Sequence, residues 1–235
     1  MDQHTVHSCR EPVAAYNAVL LTVSGEIPKT ISTEIANQKR PRADYLELAR
    51  SLNADLIDYA RAREVCGPKG RWIERVCGKN VLLAYACWLL RDSYQTIVTD
   101  GEQVGLPLAA LLKAPSKTRP RHVMITHVIS ASKKAMLMDS LGLAAQIDRF
   151  LVYCQWQQDY IRSRWGVDPS RIDVSPFMVD ERFFDPSKVT RQRFPRPRIC
   201  SVGLERRDYS TLMQAVEDLD VDVVIAAASP WSKQK

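Results

Sequence analysis

The chain has 235 residues, 46% of them apolar and 26% charged, which suits a soluble globular protein of one large domain, or one domain and part of another. Its six cysteines are scattered, with no Cys-x-x-Cys pair and no cysteine and histidine cluster of zinc spacing, so a reduced cytoplasmic protein without a structural metal is expected. The net charge of +6 is concentrated in two stretches without acidic residues, Lys113–Lys134 and Pro186–Cys200, which suit an anionic partner such as a phosphate or a lipid head group.

The first residues, with His4 and His7, read as a frayed terminus and carry no signal-peptide pattern. "NAVLLTV" (17–23) predicts a first strand, apolar on both faces as a central parallel strand should be. "ADYLELARSL" (43–52) predicts a helix with Tyr45, Leu48, Ala49 and Leu52 on one stripe, and "ADLIDY" (54–59) a second strand. The basic stretch that follows reads as loop and short helix. "VLLAYACWLL" (81–90) predicts a buried helix, well short of the ~20 residues needed to span a bilayer.

From there strands and helices alternate regularly. "YQTIVTD", "RHVMITH", "DRFLVYC" and "RIDVSPF" predict strands, and the segments after the first three predict helices. The expected fold is α/β, a Rossmann-like parallel sheet with helices on both faces. "DPSKVTRQRFPRPRIC" changes character and reads as a linker over 187–198, dividing a domain at 1–186 from one starting at 199. "RICSVG", "DYSTLMQAVEDL" and "VDVVIAAAS" then predict one strand–helix–strand unit.

Ligands of open parallel sheets bind outside the carboxyl ends of the strands. The residues at those mouths are therefore the candidates: Ser24, Gly25 and Glu26, then Asp100, Gly101 and Glu102, His127, Gln155, and Phe177 to Asp180. Gly25 suits a tight turn or close approach to a ligand. Asp100 is placed to cap the following helix, with Glu102 in its first turn. His127 ends a strand and should project into the crevice, where an imidazole can bond a hydroxyl or stabilise charge. In the last unit Gly203, Glu205, Arg206 and Arg207 open a helix. A glycine there admits an anion to the backbone, arginines supply forked donors, and Asp208 is placed to cap the helix.

These segments resemble the two-domain GT-B glycosyltransferases, the retaining group that uses nucleotide sugars. "MITH" is similar to the strand ending in a histidine at the sugar site. "DRFLVYCQWQQDYIRSRWGVDPSRIDVSPFMVDERFFDP" resembles the segment closing the first domain, and "ICSVGLERRDYSTLMQAV" the opening of the donor domain. The chain departs from that pattern at Phe177 and Met178, where Asn-Gly is common, and at Gln155, where serine is common. Arg206 and Arg207 stand closer together than the family's arginine and lysine pair, and its paired glutamates have no counterpart. The resemblance thus implies a chain truncated early in its donor domain and inactive in that form.

The resemblance implies transfer of a hexosyl group from a nucleoside diphosphate sugar to a hydroxyl of a glycan or lipid-linked acceptor, with retention and without a metal or other cofactor. His127 would contact the sugar. Gly203, Arg206 and Arg207 would face the diphosphate, with Gly25 across the cleft and Glu26, Asp100, Glu102 and Asp180 lining it. The basic patch would favour an anionic acceptor or contact with an anionic membrane surface. A sugar-nucleotide epimerase of the same fold is one alternative. A basic nucleic-acid-binding module is another, disfavoured because no basic-aromatic recognition motif is present.

Overall fold

The computed structural model describes residues 18–115, 119–190, 192–203 and 207–227. They fall into two compact units, Met1–Phe184 and Asp185–Lys235. His4, His7, Glu205 and Arg206 lie outside the described residues.

In the first unit six parallel strands form one sheet: β1 (Val19–Thr22), β2 (Ala54–Ile57), β3 (Thr96–Asp100), β4 (Arg121–Thr126), β5 (Arg149–Val152) and β6 (Ile172–Val174). Their order is β2-β1-β3-β4-β5-β6, all neighbours parallel, so the chain reverses its direction of winding between β1 and β3. The fold is Rossmann-like α/β, and that reversal is where such sheets open a crevice.

Register explains the two layers. Leu20 pairs with Ile97 and Leu21 with Val98, so neighbouring residues point to opposite faces. On one face Leu20 and Ile97 join Leu82, Leu83, Ala86 and Cys87 of α4 (Lys79–Leu90) and Val104 and Leu108 of α5 (Glu102–Leu111). Further along it, Met124, Phe150 and Ile172 pack with Met138 of α6 (Ser132–Leu141) and Ile161 of α7 (Gln155–Trp165). On the other face Leu21, Val98 and Ile125 meet Tyr45, Leu48 and Ala49 of α2 (Asp44–Leu52). Those three belong to the expected stripe, while Leu52 stays 44% exposed.

Two local expectations are corrected. The basic stretch after β2 is a helix, α3 (Tyr59–Cys77), started by Asp58, whose side chain accepts from Arg61 N–H. It kinks at Gly67, at φ +56°, immediately before Pro68; the proline cannot continue the helical hydrogen bonding and the glycine absorbs the left-handed backbone. A short helix not read from the sequence, α1 (Ile31–Ala36), follows β1, and Glu34 lies in its first turn, bonded to Thr30 and Arg40.

The second unit holds β7 (Arg198–Val202), α8 (Tyr209–Val216) and β8 (Asp222–Ala226), with β7 and β8 parallel. Asp208 caps α8, accepting from Thr211 N–H at 3.0 Å and from its hydroxyl at 2.7 Å. Val202, Met213, Leu219, Val224 and Ile225 are exposed among the described residues, where one helix and two strands offer little to bury them against.

Candidate functional site

The ends of β1 and β3 are laced together at the reversal point. Asp100 N–H donates to the buried Thr22 hydroxyl at 2.9 Å, and the Ser24 hydroxyl donates to Asp100 C=O at 2.9 Å. The backbone of Asp100 is thereby spoken for, which leaves its carboxylate to face outward. It meets His127 Nε2 at 3.0 Å, and both side chains are 39% exposed. The carboxylate raises the histidine's pKa, against a smaller opposing effect of burial. With Nε2 committed to Asp100, Nδ1 is the ring nitrogen free to meet a ligand.

Asp100 is thus not the cap of α5. Gly101 holds that position, at φ +92°, and no side chain caps the helix. The left-handed backbone at Gly101 ends the strand and turns the chain directly into α5, so the aspartate remains on the strand edge with its carboxylate toward the next mouth.

Glu102 is fully buried rather than lining the crevice. Its oxygens accept from Val128 N–H at 2.6 Å and from Lys134 Nζ at 2.9 Å. The missed signal was Lys134, a cation one helix later that can neutralise a buried carboxylate. Glu26 is exposed and paired with Arg63 at 2.7 Å, while Arg63 also grips Glu74.

Gly25 donates its N–H to Val23 C=O and accepts from Tyr59 N–H, so its backbone is held. Its φ lies outside the left-handed region, and a Cβ there would meet no atom within 4 Å. The turn itself does not require glycine; the open space beside it does invite a ligand.

Beyond His127 the mouths carry aromatic rings. Tyr153 packs 5.5 Å from the His127 ring, and Phe177, 75% exposed, stands edge-on to Tyr153 at 5.2 Å. Gln155, at the start of α7, bonds Gln158 within its own helix. Gln157, not singled out in the sequence, lies beneath them. Asp180 is drawn away to the start of α2, where it binds the Arg42 guanidinium at 2.9 and 3.1 Å and Arg42 N–H at 2.8 Å. Arg42 holds its carboxyl down to about 2. With Leu48, Met178 and Val179 it lines a cavity of about 400 Å³.

In the second unit Gly203 has φ +118°, and a Cβ would sit 2.9 Å from Arg207 Nε. Arg207 therefore lies directly over the glycine turn. Gly203 C=O accepts from the Tyr209 hydroxyl, and its N–H donates to Ala226 C=O.

The basic stretches are not bare positive patches. Lys113, Arg119 and Arg121 lie at the amino end of β4 and Lys133 and Lys134 beyond its carboxyl end, separated by a six-residue strand of roughly 20 Å. Arg119 pairs with Asp148, Arg196 with Asp220 and Asp222, and Arg198 with Asp222. Among the described residues no group of three or more potential ligands could hold a metal ion, and no helix is long and apolar enough to cross a membrane. Compared with known proteins, the chain matches no family model and no curated protein.

Proposed function

We propose that the chain handles a nucleoside diphosphate sugar, as a hexosyltransferase of the retaining GT-B type acting on a hydroxyl acceptor in the cytoplasm. The observation that carries the reading is the Asp100–His127 pair at the carboxyl edge of a parallel sheet, next to the point where the strand order reverses. Gly25, held by its backbone yet open on its Cβ side, supports it, because a glycine in such a place lets a ligand approach the main chain.

In this reading His127 Nδ1 bonds a sugar hydroxyl while Asp100 fixes the ring. The second unit, taken by itself, offers a diphosphate the Arg207 guanidinium, which lies over the Gly203 turn. A guanidinium can do there what a metal ion does in other transferases, so the reading calls for no cofactor. A glycan or lipid-linked acceptor would complete the reaction, and contact with an anionic membrane surface fits the net charge of +6.

Titration of the isotopically labelled chain with UDP-, GDP- and ADP-linked hexoses tests the reading. One of them should shift the His127 ring and Gly25 amide signals, and His127→Ala should weaken that response. Where turnover is measurable, His127→Ala should reduce it about 10²-fold, the loss typical of one contact made in the transition state. Absence of any response to all three donors would sink the proposal, and donor turnover that needs no acceptor would redirect it to epimerisation.

A further inference from the structure

His127 stands in an exposed loop, yet the peptide unit joining it to Val128 is held at both polar ends by buried side chains from two different helices. Its C=O accepts from Gln157 Nε2 at 2.8 Å, and its N–H donates to Glu102 Oε1 at 2.6 Å. Glu102 is 1% and Gln157 7% exposed. An exposed loop peptide is ordinarily served by water. Two buried partners on one plane fix the rotation of that plane about the Cα–C bond of His127, and hence the direction in which its side chain leaves the backbone.

Gln157 does more than anchor the loop. Its Oε1 accepts from Tyr153 N–H at 2.7 Å, and the Tyr153 ring is the one that packs on His127. One neutral amide therefore sets both the imidazole and the ring beside it. Glu102 carries a charge that Lys134 balances at 2.9 Å, and so holds its end of the peptide without presenting a bare carboxylate to the crevice.

We propose that Gln157, working against Glu102, is a positioning residue that aims His127 at Asp100 and so presents Nδ1 to the ligand. The proposal rests on the reading of His127 as the working residue of the crevice. It goes beyond that reading in assigning a role to a buried glutamine two helices away from the carboxylate it serves.

The test uses the neutrality of Gln157. The groups bearing on His127 are Asp100, Glu102, Lys134 and the Tyr153 ring, and a substitution at 157 removes none of their charges. Gln157→Met fills the space without hydrogen bonds, and Gln157→Asn is one methylene too short to reach both partners. The His127 ring is titrated by NMR in the full chain, with folding checked by circular dichroism and thermal unfolding. The wild-type midpoint should lie above 6.5, and in either folded variant it should fall by about 0.5 pH units, a threefold loss of proton affinity, as the Asp100 contact loosens. An unchanged midpoint in whichever variant folds overturns the proposal, regardless of donor binding. A lowered midpoint in a chain that ignores every nucleotide sugar would leave the role of Gln157 standing and reject glycosyl transfer.

Discussion

Two residues show how a single position decides between structure and ligand. Gly25 has room for a methyl group and an ordinary φ, so Gly25→Ala should leave unfolding within about 1 kcal/mol of wild type, if anything raised, because alanine restricts the unfolded chain. The same methyl would stand in the crevice and weaken ligand binding, so loss of stability rather than of binding would assign Gly25 to the turn. His122 is the opposite case. It is fully buried, bonded through Nε2 to the Thr99 hydroxyl, and burial pushes its pKa down from 6.5 to about 4. Below 6.5 the unfolded chain takes up a proton that the folded chain refuses. Stability should therefore fall as pH drops from 6.5 to about 4, by about 3 kcal/mol, and His122 should contribute no further loss below that. Denaturant unfolding across that window checks it, and His122→Gln should lose this part of the slope. His127, with its raised pKa, contributes in the other direction: its stabilisation is present below 6.5 and lost as pH rises through its folded value.

At the scale of elements, the crevice depends on how closely α5 lies against the sheet. A Cβ on Gly105 would come within 2.5 Å of Met124 Sδ and 2.8 Å of the Thr99 hydroxyl. Both atoms belong to strands β3 and β4, whose carboxyl ends carry Asp100 and lead to His127. Gly105→Ala should overpack this contact, cost about 1–3 kcal/mol in thermal unfolding, and disturb the His127 signals as α5 and Glu102 shift. Unaltered melting would show that the helix can move off the strands without penalty. The kink of α3 at Gly67 and Pro68 is similarly local, and α4 then returns between α3 and α5, with Leu82, Leu83, Ala84, Ala86 and Cys87 inaccessible.

At the scale of the whole molecule, the two units differ in what they bury. Among the described residues, the first has a six-stranded sheet covered by helices, and the second a two-stranded sheet with one helix and an exposed apolar set. The described residues from Ser187 to Arg198 are exposed, and beyond the turn Pro186–Lys188 they have no regular structure until β7. Trypsin should therefore cut first at Lys188 or Arg193, and hydrogen exchange should be faster in β7, α8 and β8 than in β1, β3 and β4. Early cleavage within 94–176 would contradict this division of stability.

The alternation of strands and helices, the parallel sheet, the helix at 81–90 and the placing of His127 and Asp100 at strand mouths were legible in the chain before folding. Those features follow from local pattern: apolar runs of strand length, a 3.6-residue stripe, and polar residues just past each run. Which mouths meet depends on the order and pairing of the strands. The reversal of winding between β1 and β3 brings Thr22 and Ser24 to the backbone of Asp100, and the β3–β4 pairing brings its carboxylate to His127, across 27 residues of chain. It also separated residues that looked alike in sequence. Glu102, two positions from Asp100, is buried against Lys134, and Asp180 is claimed by Arg42, 138 residues away. A charged side chain's role depends on which opposite charge or backbone N–H lies within about 3 Å, and no local pattern encodes that distance.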